Sequence, residues 1–312
     1  MGRRVGAAVV LAGLAFAATG CGVRDRIVRT AFVDGAEYAN VEGAPVTAFE
    51  RHSARVYSYR VRFYRTLVVD TDEGVVIVDP MNARTAAGAR TEIERRFPGK
   101  RIAAIFYSHY HLDHVRGGRE LAPLAPARVV AHERCATYWK DLDTRDVLPP
   151  TEWISGDHET TIGGVRIHAI DLGRSHTDTL YAFHFPDEKL LYPPDVGFVK
   201  AWPTPGPFDT YHPGYVRAMR RLGALDFVHF VPSHGAAGTK QDFLDSAAMM
   251  EDLRATMTAA IARHDVETEE GLAGIFDEVY PAWKKRYGHL HGFDQMAALG
   301  MVRQMAGVNL GY

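Results

Sequence analysis

Four potential metal ligands lie within six residues in the segment S-H-Y-H-L-D-H, residues 108–114. They are His109, His111, Asp113 and His114, and they follow an apolar run that predicts a buried strand over 102–107. Imidazole and carboxylate groups are typical zinc ligands, and a site that keeps an open coordination position is the catalytic kind. A lone histidine is commonly a core or surface residue, but this spacing indicates a metal centre.

Three later segments extend this pattern. His176 stands in G-R-S-H-T, Asp195 ends Y-P-P-D and His234 stands in P-S-H-G, each next to the end of a predicted strand. Together with the first string, they resemble the metal-binding signature of the metallo-β-lactamase superfamily, with proline where that family often has glycine before the acid. Asp79 in V-D-P resembles the structural acid near the family's metal loop. The resemblance extends over residues 55–260.

The resemblance implies both a fold and a cofactor. The fold is an α/β four-layer αββα sandwich, here with a helical C-terminal extension. The cofactor is a pair of divalent metal ions, zinc in the first place, with iron or manganese as alternatives because His/Asp sites accept several metals. One ion would be held by His109, His111 and His176, the second by Asp113, His114 and His234, and both would be bridged by Asp195.

The same resemblance implies a metallo-hydrolase, in which a metal-bridging hydroxide attacks a small-molecule substrate. Asp113 is the expected catalytic proton carrier. The bond cleaved would belong to an ester, lactone, lactam, phosphoester or sulfate ester, and the fold alone does not choose among them. Two alternatives stay open: an iron-dependent oxygenase of the same fold, and a non-catalytic metal-binding lipoprotein. The sequence leaves the oligomeric state open.

Alternating strand and helix patterns surround these segments, which is typical of an α/β protein. Predicted strands cover 56–64, 66–69, 75–78, 102–107, 127–131, 161–170, 180–185, 189–192 and 227–231. Predicted helices cover 83–97, 114–123 and 214–222, and the chain after Gly238 is mostly helical. The ligand segments therefore fall on loops that leave strand ends.

A proline-rich loop over residues 193–213 joins the bridging acid to a later helix. A long loop beside a metal site is a natural substrate lid. We expect Lys200, Trp202, Tyr211 and His212 to contact substrate, the alternative being that they only decorate a surface loop. Further candidates for functional contact are Tyr107, Arg116, His289 and His291.

The N-terminus has the features of an export signal. Arg3 and Arg4 precede an uncharged apolar stretch that is too short to span a bilayer and that ends in A-T-G-C at Cys21. Small residues before a cysteine resemble the lipobox of bacterial lipoproteins, so we expect Cys21 to be lipidated. The protein would then lie on the periplasmic side of a bacterial membrane, and Gly22, which is not a retention acid, favours the outer membrane.

Composition sets further bounds on the 312-residue chain. With 36 Lys+Arg against 38 Asp+Glu, the sequence lacks the basic excess of a nucleic-acid binder. With Cys21 lipidated, the other cysteine, Cys135, could form no intrachain disulfide. The predicted organisation is a signal peptide at 1–20, a linker at 21–52, a metallo-β-lactamase-fold domain at 53–240, and a helical region at 241–312 packed on that domain.

Overall fold

The computed structural model describes residues 46–203 and 210–311. By their internal contacts these residues form two compact units. The first comprises 46–200 and 210–251, and the second comprises 201–203 and 252–311. The predicted signal peptide and Cys21 lie outside the described residues, so lipidation stays a prediction.

A seven-stranded sheet in the first unit follows the order of the chain. Its strands are β1 (Thr47–Arg51), β2 (Val56–Val61), β3 (Tyr64–Thr71), β4 (Gly74–Val78), β5 (Ile102–Phe106), β6 (Val129–His132) and β7 (Glu152–Ile154). Strands β1 to β4 pair antiparallel, and β4 to β7 pair parallel. Every residue of β4 and β5 is buried, as is typical of parallel strands covered on both faces.

A second sheet of six strands completes the β structure of this unit. Its strands are β8 (His158–Ile162), β9 (Val165–Asp171), β10 (Tyr181–Phe185), β11 (Leu190–Tyr192), β12 (His229–Phe230) and β13 (Gly238–Thr239). The spatial order is β13-β12-β11-β10-β9-β8, with only β11 and β12 parallel. The carboxyl ends of β11 and β12 therefore lie side by side.

Seven α-helices and one 3-10 helix are described. They are α1 (Ala83–Arg96), α2 (Leu112–Val115), the 3-10 helix (Arg116–Leu124), α3 (Cys135–Trp139), α4 (His212–Gly223), α5 (Lys240–Ile261), α6 (Glu269–Tyr287) and α7 (Phe293–Leu310). Asn82 caps α1, because its side chain accepts a 3.0 Å hydrogen bond from the backbone N–H of Thr85. Among the described residues, no helix is both long enough and apolar enough to cross a membrane.

The two sheets pack face to face through one apolar core. Leu67 and Phe106 of the first sheet share this core with Ile167 and Phe183 of the second. The rings of Phe106 and Phe183 meet edge to face with centroids 5.7 Å apart, which is a favourable aromatic geometry. Because side chains alternate along a strand, each sheet also has an outer face that needs its own cover.

Helices supply that cover on both sides. Ala86 and Ile93 of α1 are buried with Ile105 on the outer face of the first sheet. Phe243 of α5 packs against Phe230 of β12, with ring centroids 5.1 Å apart. The predicted four-layer αββα sandwich is thereby confirmed.

Three local features differ from the sequence-based expectations. The strand expected over 161–170 is a hairpin, because Gly163 and Gly164, with φ of 48° and 80°, form a turn between β8 and β9. The helix expected over 114–123 is split into α2 and the 3-10 helix, whose interior contains Pro123. Residues 47–51, expected in the linker, form β1.

The second unit is helical, as expected for the C-terminal region. It contains the end of α5 together with α6 and α7. The buried residues Val279 and Trp283 of α6 and Phe293 and Met301 of α7 belong to its interior. That the helical region packs on the sandwich stays a prediction.

Candidate metal centre

The loop that follows β5 begins at the carboxyl edge of the parallel strands. Asp79 follows β4 and Ser108 follows β5, and the backbone N–H of Asp79 donates to the carbonyl of Phe106 at 2.9 Å. Ligand sites of α/β sheets form at such edges, where successive strand ends come together. The strand pairing therefore places an acid next to the first histidine segment.

Asp79 orients two of the predicted ligands. Its fully buried carboxylate accepts hydrogen bonds from the Ser108 backbone N–H at 2.8 Å, from the Ser108 hydroxyl at 2.7 Å and from His114 Nδ1 at 2.9 Å. The Ser108 hydroxyl also lies 2.8 Å from His109 Nδ1. Since both Nδ1 atoms are engaged, the Nε2 atoms of His109 and His114 are the ones left for a metal.

The first ligand group consists of His109, His111, His176 and Asp195, which each offer one ligand atom, all within 4.8 Å of one another. His176 Nε2 lies 3.2 Å from His111 Nδ1 and 3.1 Å from Asp195 Oδ2. His176 comes from the loop between β9 and β10, 65 residues after His111. The fold thus brings two separate segments into one potential metal site.

The second ligand group consists of Asp113, His114 and His234, also within 4.8 Å of one another. His114 Nε2 lies 3.2 Å from His234 Nε2. His114 is fully buried, whereas the Asp113 side chain is 46% exposed. Asp113 is therefore the member of this group that solvent reaches most easily.

Asp195 contacts histidines of both groups. Its Oδ2 lies 3.4 Å from His109 Nε2 and 3.2 Å from His114 Nε2, and its Oδ1 lies 2.9 Å from His234 Nε2. Ser233 fixes the carboxylate, because its hydroxyl donates to Asp195 Oδ1 at 3.0 Å and accepts from the Asp195 backbone N–H at 3.1 Å. All seven predicted ligands therefore meet in one place.

The donor chemistry of this cluster fits divalent cations. The buried Nε2 of His109 makes no hydrogen bond to any described residue. Burial lowers the pKa of His109 well below its usual range, and His114 lowers it further. Although burial opposes it, neighbouring histidines led by His114 hold the pKa of the Asp195 carboxyl well below its usual range. Imidazole nitrogens grouped around an ionised carboxylate are a ligand set typical of zinc sites.

A hairpin and an arginine lie against the last ligand, His234. The Arg65 backbone N–H donates to the Ser233 carbonyl at 2.8 Å, and Arg65 Nη2 donates to the Gly235 carbonyl at 3.0 Å. Tyr64 forms an isolated antiparallel bridge with His234. Burial raises the pKa of the Tyr64 hydroxyl, and among nearby charges Asp113 raises it most.

The predicted substrate-contact residues fall in different places. Lys200 is exposed at the end of the first unit. Tyr211 and His212 lie at the start of α4, where the Tyr211 backbone N–H donates to the Ser175 carbonyl at 2.7 Å. Tyr211 is therefore next to the loop that carries His176. Contact with substrate stays a prediction for all of them.

Trp202 lies in the second unit, where its side chain is 1% exposed. Its ring packs against Trp283 and Phe293, with centroids 5.5 Å and 4.8 Å away. Its backbone N–H donates to the His291 carbonyl at 2.8 Å. This placement gives Trp202 a packing role within the second unit, and its contact with substrate stays a prediction.

The remaining candidates are also located. The buried Tyr107 donates its hydroxyl to the Leu148 carbonyl at 2.9 Å, which is a structural contact. Arg116 is exposed at the start of the 3-10 helix. Among the described residues, His289 and His291 belong to no group of three potential metal ligands.

Sequence reasoning missed the residues around these ligands. Phe63, which stacks on His234 with ring centroids 4.4 Å apart, stands in a two-residue turn that carries no glycine signal. Arg174 and Arg217 both contact the ring of Tyr211, with Cζ 4.6 Å and 5.7 Å from its centroid. Arg174 stands two residues before His176 in the G-R-S-H-T segment, and this position could have indicated from the sequence that Arg174 lies near the ligands.

Comparison with known families identifies the domain. The profile of Lactamase_B, the Metallo-beta-lactamase superfamily, matches residues 60–234, which include every predicted metal ligand. The chain belongs to the metallo-beta-lactamase superfamily. Among its superfamily relatives, the chain is 28% identical over 267 residues to the 2,4-dinitroanisole O-demethylase subunit alpha of Nocardioides sp. (strain JS1661), covering 85% of this chain and 80% of that protein. It is 26% identical over 264 residues to subunit beta of the same enzyme, covering 80% and 78%.

Solved structures of the superfamily show the same fold. A metallo-beta-lactamase from Pontibacter korlensis superposes with a TM-score of 0.57 at 20% identity, covering 66% of this chain and 99% of that one. A variant of the sec-alkyl sulfatase PisA1 superposes with a TM-score of 0.68 at 16% identity, covering 89% of this chain and 55% of that one. At these identities the likeness is one of fold.

Proposed function

We propose that this superfamily member is a metal-dependent hydrolase with a dinuclear, zinc-preferring centre. The observation that carries the proposal is the position of Asp195, whose carboxylate lies within 3.4 Å of histidines from both ligand groups. A carboxylate so placed is suited to bridge two cations. One ion would be held by His109, His111 and His176, the other by Asp113, His114 and His234, with Asp195 shared.

Two bound divalent cations would polarise an oxygen of the substrate and lower the pKa of a bound water. The protein's own groups determine what else happens there. Asp113, 46% exposed at the edge of the cluster, is placed to take a proton at its carboxylate and pass it to solvent. The buried Asp79 holds His114 in one orientation throughout.

Charge indicates the type of transition state that the site favours. If two divalent ions were bound, their four positive charges would face two negative charges from the carboxylates of Asp113 and Asp195. The remaining positive charge would stabilise negative charge that develops on the substrate during attack by water. This favours hydrolysis of an ester, lactone, lactam, phosphoester or sulfate ester, in which water adds to the electrophile and the leaving oxygen or nitrogen takes up a proton.

The relatives add an ether to these substrate classes. Two curated relatives that match most of this chain are subunits of a 2,4-dinitroanisole O-demethylase. Hydrolytic removal of the methyl group from an aryl methyl ether is balanced by one water: the products are a phenol and methanol. Activated aryl ethers therefore belong in the substrate panel.

The test is turnover by the zinc-loaded protein on this panel, including 2,4-dinitroanisole, with and without oxygen. We expect at least one substrate to be cleaved at the same rate in both atmospheres, and a protein stripped with chelator to be inactive. A requirement for oxygen and iron would instead support the oxygenase alternative. Full activity of the metal-free protein would contradict both metal-dependent readings.

We further propose that the protein is exported and anchored on the periplasmic side of the outer membrane through Cys21. The support is the sequence alone: a basic start, an apolar stretch and small residues before the cysteine. We expect the full chain to sediment with membranes and the Cys21→Ser variant to be soluble in the periplasmic fraction. Membrane association of both forms to the same extent would contradict lipidation.

A further inference from the structure

Two aromatic rings contact one predicted metal ligand, His234. They belong to Phe63, in the turn between β2 and β3, and to Tyr64, the first residue of β3. Phe63 stacks on His234 with an interplanar angle of 16° and centroids 4.4 Å apart. Tyr64 meets the same imidazole edge-on, with centroids 5.3 Å apart. The backbone reinforces the contact, because the Gly235 N–H donates to the Phe63 carbonyl at 3.0 Å. The turn is thus bound to the ligand loop.

Strand alternation sends Tyr64 and Arg65 to opposite sides. Arg65 points into a buried polar network with Glu50 and Ser58. The Tyr64 side chain lies on the other side, where Asp113 and Asp195 are among the charged groups that act on its hydroxyl. Tyr64 is half-buried, and its hydroxyl makes no hydrogen bond to any residue that the structure describes. This donor is therefore free to bond to solvent or to a ligand.

The turn adopts a backbone conformation that its sequence does not favour. Arg62, its first residue, has φ of 53°, a left-handed conformation in which glycine or asparagine is more usual. Strain of this kind persists where surrounding contacts fix the chain, and it is common at ligand sites. Here the contacts that fix the turn are the backbone pairing of Tyr64 with His234 and the hydrogen bond from the Gly235 N–H to the Phe63 carbonyl.

We propose that Tyr64 is a substrate-contact residue, whose neutral hydroxyl donates a hydrogen bond to an oxygen of the ligand bound at the metal centre. The inference rests on the proposed hydrolase function and specifies its substrates. They carry an oxygen acceptor on the electrophile, such as an ester carbonyl, a phosphoryl or a sulfuryl group. The donor has a fixed position, because its ring lies against His234 and its backbone pairs with the same residue.

The experiment measures binding of inorganic phosphate to the zinc-loaded protein by titration calorimetry. Tyr64→Phe removes only the hydroxyl and keeps the ring against His234. We expect it to weaken phosphate binding roughly three- to tenfold, the loss of one hydrogen bond, while zinc per chain stays as in the wild type. The matched control is Tyr57→Phe. Tyr57 lies on the same hairpin, but its ring packs against Phe49 and Phe97. We expect the Tyr57→Phe variant to bind phosphate like the wild type.

A second measurement uses the wild-type protein labelled with 3-fluorotyrosine. We expect the fluorine resonance that is missing in Tyr64→Phe to shift when phosphate is added, and the Tyr57 resonance to stay unchanged. Equal phosphate affinity in Tyr64→Phe and the wild type, or an unmoved Tyr64 resonance, would overturn the Tyr64 assignment alone. A wild-type protein that binds phosphate equally well without zinc would overturn the metal centre as well.

Discussion

Arg65 holds the chain on both sides of His234. Its backbone N–H donates to the carbonyl of Ser233, and its guanidinium donates to the carbonyl of Gly235. The guanidinium is fully buried and also pairs with Glu50. A metal ligand on a loop gains precision when neighbouring backbone groups are fixed in this way. Arg65 is therefore a positioning residue for the second ligand group.

The first prediction concerns this arginine. Arg65→Met keeps an unbranched apolar stem but removes the guanidinium, so that the Gly235 carbonyl loses this donor and Glu50 loses the closer of its two arginine partners. We expect a stability loss of about 2–3 kcal/mol, below that of a fully buried pair because Glu50 is partly exposed. We also expect weaker zinc binding by roughly tenfold. Chemical unfolding and chelator competition measure the two effects.

The control for Arg65→Met is an exposed ion pair on the same unit. Arg166 pairs with Asp187 at 2.5 Å, with side chains 45% and 57% exposed. Arg166→Met should change stability by less than about 1 kcal/mol and leave zinc binding unchanged. Equal effects of the two variants would show that Arg65 has no special relation to His234.

The second prediction isolates the negative charge of Asp79. Its φ is 53°, which asparagine tolerates well, so Asp79→Asn does not add backbone strain. An amide cannot accept all three hydrogen bonds that the carboxylate receives from Ser108 and His114. We expect zinc affinity to fall about 10- to 100-fold. Competition with a chromogenic chelator measures it, and Asp226→Asn on the surface should leave the affinity intact.

The third prediction concerns the carboxylate shared by the two ligand groups. Asp195 also has a left-handed φ, 56°, so Asp195→Asn again changes charge rather than backbone. An amide is a weak metal ligand and can donate instead of accept. We expect metal content to fall from two ions per chain towards one, with a strong loss of turnover. Elemental analysis of the purified variant measures the metal content. Two tightly held ions per chain would contradict a metal-bridging role for Asp195.

The fourth prediction concerns His52, whose Nε2 lies 2.8 Å from the Ser58 hydroxyl. Burial lowers the pKa of His52 to about 4, with a further contribution from Arg65. Because the pKa of His52 is lower in the folded protein, the unfolded chain binds a proton at His52 more readily. The stability that depends on a neutral His52 is therefore fully present above about pH 6.5. This stability declines as the pH falls towards 4 and is lost below that pH.

His52→Gln should therefore flatten the pH dependence of stability between about pH 6.5 and 4, by up to roughly 3 kcal/mol. Unfolding by urea at several pH values, in wild type and variant, gives the difference. The exposed His289 supplies the control: His289→Gln should leave the slope unchanged. A wild-type slope in His52→Gln would contradict the assignment.

The fifth prediction separates two roles for Trp202. As a 1% exposed side chain packed on Trp283 and Phe293, it should cost about 3–5 kcal/mol when replaced by alanine. Trp153→Ala, at a residue 45% exposed, should cost far less. Thermal unfolding compares them. A Trp202→Ala variant of normal stability with a raised KM would contradict the packing role and support the substrate contact expected from the sequence.

Several features were readable from the sequence because their causes are local. The four ligands within residues 109–114 need only a strand that ends and a short turn, so their spacing alone indicated a metal site. Buried strands β4 and β5 were visible as continuous apolar runs. The contributions of His176, Asp195 and His234 followed from resemblance to a family, since nothing local links segments so far apart.

Other features were decided by tertiary structure. A single strand was expected over 161–170, but the structure has a hairpin there. The hairpin depends on two glycines with positive φ, and the alternation of apolar residues does not reveal such a turn. The contacts of Tyr64 and Arg65 with the His234 loop join positions 170 residues apart. The packing of Trp202 against Trp283 in the second unit joins positions 81 residues apart.

The sequence by itself indicated a metal-binding site and its ligand types, and its resemblance to a family indicated the αββα class. Only the tertiary structure decided which neighbours hold each of these residues, and it placed the Tyr64 ring against His234. The physical reason is the range of the interactions. Secondary-structure propensity, hydrophobic periodicity and turn formation depend on a few neighbouring residues, so they can be predicted from short stretches of sequence. Packing and buried hydrogen bonds join distant segments, and they exist only once the sheets have paired.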